Sequence, residues 1–192
     1  MKKVKVYSVL LVGMMLLVVC GMGIAAKKSE TKVEVSVRTV EEQVVLYTIY
    51  RGDYAQIGPA IGKLYGLAMQ NGIMPQRPLV LAYLNSPKLV SSKHWLTEIR
   101  IPVAKSALEK AGTLGEWTDV KKLPSLETAV AVKPIGMADP GPIYEAIGVW
   151  VQTNGYIRID GPIEKCFSQG PVTDYAQMKS EIMIPVMKVG SR

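Results

Sequence analysis

The chain repeats itself at a fixed spacing. Gly58-Pro59 recurs as Gly141-Pro142, and Asn71-Gly72 recurs as Asn154-Gly155, both at an offset of 83. Glu98-Ile99-Arg100-Ile101-Pro102-Val103 recurs as Glu181-Ile182-Met183-Ile184-Pro185-Val186 at the same offset. Separated matches at one offset mean a duplication, and a unit this long is a half-domain rather than a solenoid repeat. The expected halves are Val33–Lys110 and Val120–Lys188, joined by a linker at Ala111–Asp119 (AGTLGEWTD) that shows no periodicity.

Both halves read as strand–helix–strand–strand. Val33–Tyr50 is rich in Val, Thr and Tyr and predicts one long strand. Gly58-Pro59 opens a helix that Asn71-Gly72 closes, with Ile61, Leu64, Tyr65, Ala68 and Met69 on one face. Leu79–Leu84 and Trp95–Val103 predict strands; in the second, Ile99, Ile101 and Val103 share a face and Glu98 and Arg100 the other. The second half predicts a strand at Leu126–Val132, a helix at Pro142–Asn154, and strands at Ile163–Phe167 and Lys179–Val186. The expected fold is α+β, with antiparallel sheet and helices packed on one side. Two such halves cover each other by docking edge to edge or face to face. A groove between them is the expected place for a ligand.

Charge becomes informative once the N-terminus is set apart. Lys2, Lys3 and Lys5 precede Val9–Ala26, a run that carries no charge from end to end. A basic start, an apolar run and small residues at Gly23 and Ala25 predict a signal peptide or membrane anchor over residues 1–26, with lipid attachment at Cys20 as a third reading. Residues 27–32 read as a polar tether, so the domain is expected to be exported or membrane-anchored, on the extracytoplasmic side. Without those three lysines the net charge of +7 falls to +4, and the other Lys and Arg are scattered. No nucleic-acid partner is expected from that distribution.

The single His and two Cys exclude most metal and nucleophile chemistry. No metal and no cofactor are expected, and Cys166, alone in the folded part, reads as a packing thiol. His94 lies in a loop-like stretch and is expected to be exposed.

Tyr50-Arg51-Gly52-Asp53-Tyr54, Ala82-Tyr83-Leu84-Asn85-Ser86-Pro87, the two Ile-Pro-Val strand ends and the duplicated order together resemble the GyrI-like small-molecule-binding domain. The resemblance covers residues 33–188. That domain is also the effector-binding part of multidrug-sensing transcription regulators; here no helix-turn-helix is expected ahead of it. The resemblance implies two pseudo-symmetric α+β halves and a pocket for lipophilic, often cationic or aromatic compounds. Some relatives resemble hydrolases of strained, toxic compounds. It also implies a pocket acid on the strand before the last, and Glu164 stands there. The equivalent of Glu164 in the first half is Leu81. Cys166 occupies a position where many members carry an aromatic.

Independently of any family, a carboxylate inside an apolar strand costs several kcal/mol to bury without compensation. Glu164 either lines the groove as partner for a lipophilic cation or sits at a sheet edge beside a lysine. Tyr65, Tyr83, Tyr144 and Trp150 are the aromatic candidates for ligand contact, against the alternative that they are core. Glu98 and Glu181 occur in both halves, which argues for a structural role, with Glu181 kept as a pocket candidate. Three functions remain: binding of a small lipophilic molecule, hydrolysis with Glu164 as general acid or base, and a haem-binding relative, for which one exposed His is thin support.

Overall fold

The computed structural model describes residues 33–167 and 175–190. The expected signal or anchor over 1–26 and the tether over 27–32 lie outside the described residues. Among the described residues, no helix is long and apolar enough to cross a membrane.

The helices repeat to the residue. Helix α1 spans Gly58–Gln70 and α2 spans Gly141–Thr153. Each carries Pro in its first turn, where the missing N–H costs nothing. Each stops at an Asn whose side-chain amide turns back on the last carbonyls: Asn71 Nδ2 donates to Leu67 O (2.9 Å) and Asn154 Nδ2 to Trp150 O (2.8 Å). Gly72 and Gly155 then adopt φ of +69°, a conformation that only glycine takes without strain. Helix α1 buries Leu64 and Ala68, and α2 buries Ile143, Ile147 and Val151.

The strands are β1 (Ser36–Val40), β2 (Gln43–Arg51), β3 (Leu79–Tyr83), β4 (Leu96–Val103), β5 (Thr118–Leu123), β6 (Leu126–Lys133), β7 (Tyr156–Arg158), β8 (Ile163–Cys166) and β9 (Ser180–Lys188). They form one antiparallel sheet in the order β1-β6-β9-β8-β3-β4-β2-β5, with β7 also paired to β9. Read from either end, this order is the same once each strand is exchanged for its counterpart in the repeat. The halves therefore dock edge to edge, through β3 and β8.

The expected long strand Val33–Tyr50 is two strands, broken at the exposed Glu41-Glu42. They belong to opposite ends of the sheet: β1 pairs with β6 of the second half, and β2 with β4 of the first. The counterpart of β1 is β5, which begins within the expected linker and crosses the other way, onto β2. Each half thus gains a leading strand and lends it to its twin. Charge pins both exchanged strands. Arg38 of β1 pairs with Glu181, and Lys121 of β5 pairs with Glu98 (2.8 Å). Arg38 and Lys121 are counterparts in the repeat, as are Glu181 and Glu98.

The exchange forces the sheet to curl. β1 and β2 are six strand spacings apart in the sheet order, about 29 Å if flat. Val40 and Gln43 are three Cα steps apart, about 11 Å at most. Val40 accordingly packs on the face away from the helices, against Val80, Ala82, Val130, Ile163 and Met183. The helix-bearing face holds two further clusters, one around Leu46, Leu64, Ile99 and Ile101 and one around Ile143, Ile147, Ile182 and Ile184. Burying one such side chain contributes ~1.5–3 kcal/mol.

Candidate ligand site

The ladder of β3 and β8 sets Leu81 directly opposite Glu164. These positions are counterparts in the repeat, so the pseudo-two-fold axis passes between them. Glu164 consequently stands at the middle of the sheet, on the helix-bearing face it shares with Leu81 and Cys166. It is fully buried. The alternative of a carboxylate at the sheet edge beside a lysine does not hold.

Three hydroxyls satisfy the carboxylate. Tyr83 donates to Oε2 (2.6 Å), while Tyr175 (2.8 Å) and Ser180 (2.5 Å) donate to Oε1. These hydrogen bonds offset the cost of burying the carboxylate oxygens. Burial, then the negative charge of Glu164, pushes the Tyr83, Tyr144 and Tyr175 hydroxyls well above the usual phenol range. The same two causes push the Cys166 thiol up, with Lys133 acting against them. These tyrosines are donors at any physiological pH.

Tyr175 is held in place by a buried cation. It lies in a 3-10 turn, Tyr175–Gln177, ahead of β9. Lys133, at the end of β6 and fully buried, donates to Tyr175 O (2.9 Å) and Met178 O (2.6 Å). Its ammonium also lies 4.3 Å from the Tyr175 ring centroid.

An aromatic stack adjoins Tyr83. Tyr54 sits in the 3-10 turn Tyr54–Gln56, which Asp53 starts by accepting from Ala55 N (2.9 Å). Its ring meets Tyr83 edge-on at 5.2 Å and stacks on Trp95 at 4.3 Å. The Tyr54 hydroxyl and Thr97 Oγ1 are buried without a hydrogen-bond partner among the described residues. Thr97 is the first-half counterpart of Ser180. It stands diagonal to Leu81 as Ser180 stands to Glu164, so its hydroxyl lacks the carboxylate its twin has.

Of the residues singled out from the sequence, Glu164 and Tyr83 are in direct contact, and Tyr144 is close enough to feel the Glu164 charge. Tyr65 is half-buried and packs with the first-half cluster. Trp150 packs with the second-half cluster and stacks on Tyr156 at 5.6 Å. Glu181 pairs with Arg38, and it alternates with Ile182, so it points to the face away from Glu164. Tyr54, Trp95, Tyr175, Ser180 and Lys133 were not anticipated. Most lie in connections or at strand ends, where periodicity carries no signal. Ser180 could have been found by carrying Thr97 across the repeat. His94 is exposed, in the turn Ser92–His94. Among the described residues, no three of His, Cys, Asp and Glu converge as metal ligands.

No family model matches the chain, and no curated protein matches it. Solved structures do share its fold. The C-terminal domain of EcmrR is 19% identical, over 82% of this chain and 99% of that one, with a TM-score of 0.65. EcmrR in its DNA complex is 17% identical over 82% of this chain, with a TM-score of 0.66; this chain spans 58% of its length. A hydrolase from Listeria innocua is 14% identical, over 80% of this chain and 92% of that one, with a TM-score of 0.59. The α+β architecture expected from the repeat, and the GyrI-like fold it resembles, are borne out.

Proposed function

We propose that this chain binds a small lipophilic molecule carrying positive charge, with Glu164 as counter-ion and the surrounding rings as walls. The observation that carries this reading is a fully buried carboxylate at the junction of the halves, met by Tyr83 and Tyr175. A buried carboxylate attracts a cation far more strongly than one in water, and each ring adds ~0.5–2 kcal/mol of cation–π attraction. Because Glu164 is fully buried, a ligand reaches it when the Tyr83 and Tyr175 side chains turn aside. The fold shared with a domain of EcmrR is consistent with an effector-binding role. Titration with N-methylacridinium and with neutral acridine tests the reading. The cation binds at least tenfold more tightly if it holds, and equal affinities overturn it.

A second reading is hydrolysis of a small strained compound, with Glu164 as general acid or base. The presence of Ser180 and two tyrosines within hydrogen-bond reach favours it, and one fold-mate is named a hydrolase. Mass spectrometry of three-membered-ring electrophiles incubated with the protein would reveal a product heavier by one water; its absence at long incubation removes this reading. Export or anchoring through residues 1–26 is a further part of the proposal. Finding the full-length chain intact and soluble in the cytoplasm would contradict it.

A further inference from the structure

The curl of the sheet leaves an opening on the face away from Glu164. A cavity of about 450 Å3 lies between the β1–β2 link and the segment leading into β3. That volume is in the range of small-molecule sites. Its apolar lining includes Val80, Pro102 and Met183, with Val80 and Met183 belonging to the buried cluster inside the curl.

The charges around this lining are mostly positive. Arg77, Lys105 and Lys165 line the cavity, and the acid there, Glu42, is bound to Lys122 at 2.7 Å. Lys105 and Lys165 form no ion pair among the described residues. Lys165 is half-buried and alternates with Glu164 along β8, so the two sites use opposite faces of one strand. The duplication supplies an internal comparison. At the equivalent positions of the other half, Arg77 is replaced by Asp160, Lys165 by Ala82 and Met183 by Arg100. Lys105 is matched by Lys188, Val80 by Ile163 and Pro102 by Pro185, so what sets this cavity apart from its symmetry mate is Arg77 and Lys165 beside the apolar Met183.

We propose that this cavity binds an amphipathic organic anion. Its carboxylate, sulfonate or phosphate head meets Lys105 and Lys165, and its apolar body lies on Val80, Pro102 and Met183. The inference is independent of the Glu164 site.

Fluorescence titration of the full chain with anilinonaphthalene sulfonate, and with uncharged N-phenylnaphthylamine, tests it. Lys105→Met and Lys165→Met should each weaken the sulfonate about fivefold and leave the uncharged dye unchanged. Glu164→Gln should leave the sulfonate affinity at the wild-type value. Unchanged sulfonate affinity in both lysine variants, equal binding of the two dyes by wild type, or loss of the sulfonate in Glu164→Gln would each overturn the proposal. Circular dichroism checks folding. Lys105 is exposed, so Lys105→Met decides the matter by itself should Lys165→Met unfold.

Discussion

Leu81 and Glu164 face each other across the central strand pair and are each other's counterparts in the duplication. Among the strand pairs of the described residues, this is the position that lies directly opposite its own twin, and there the halves differ by an apolar side chain against a charge. A single substitution on the axis is enough to give one scaffold one carboxylate. The hydroxyls of Tyr83, Tyr175 and Ser180 then have something to bind.

The twin hydroxyls should respond unequally to removal. Ser180 Oγ bonds to Glu164, whereas Thr97 Oγ1 is buried without a partner among the described residues. Ser180→Ala should cost ~1–3 kcal/mol, since it removes a hydrogen bond to a buried charge. Thr97→Val keeps the shape and removes an unsatisfied group, so it should be neutral or stabilising. Urea unfolding measures both. An equal loss in the two variants would contradict the asymmetry.

The acids that anchor the exchanged strands should also differ. The Glu98 carboxylate is 7% exposed and meets both Arg100 (2.6 Å) and Lys121. That of Glu181 is 15% exposed and pairs with Arg38, which is itself 43% exposed. Removing a partner from a buried pair costs ~3–5 kcal/mol, and from a partly solvated one ~1 kcal/mol or less. Glu98→Gln should therefore lower the thermal midpoint clearly more than Glu181→Gln. The reverse order would show that burial does not rank these pairs.

Alkaline conditions should expose the tyrosines around Glu164. Tyr83, Tyr144 and Tyr175 hold their protons in the folded state to a pH above the usual phenol value. In the unfolded chain they ionise near ~10. The unfolded state then releases protons that the folded state keeps, so their contribution is intact below about pH 10 and stability falls as pH rises beyond it. In Tyr83→Phe this fall should be shallower by about one proton, ~1.4 kcal/mol per pH unit. Denaturant unfolding between about pH 10 and 12 reads the slope; identical slopes would sink the explanation.

The repeat made the fold legible. Gly-Pro and Asn-Gly at one offset mark both helices, and alternation in the Ile-Pro-Val strands gives their inward faces. What escaped is non-local. Nothing in Val33–Tyr50 says that its two ends belong to opposite ends of the sheet, because strand exchange is decided by partners rather than by local pattern. The site divides similarly. Glu164 stands out as a charge in an apolar strand, and Tyr83 lies on an expected strand. Tyr54 and Tyr175 reach the site from short turns, and Lys133 is a strand-end lysine indistinguishable by sequence from a solvated one. Their roles follow from burial and contact: Lys133 spans from β6 to the turn before β9.

The central claim is that Glu164 supplies the charge that selects a lipophilic cation. Isothermal titration of N-methylacridinium into wild type and Glu164→Gln tests it most directly, because the substitution keeps the shape and removes the charge. A loss of at least ~1.4 kcal/mol, a tenfold weakening, with acridine affinity unchanged, is the predicted result. Equal N-methylacridinium affinity in the two folded proteins would contradict it.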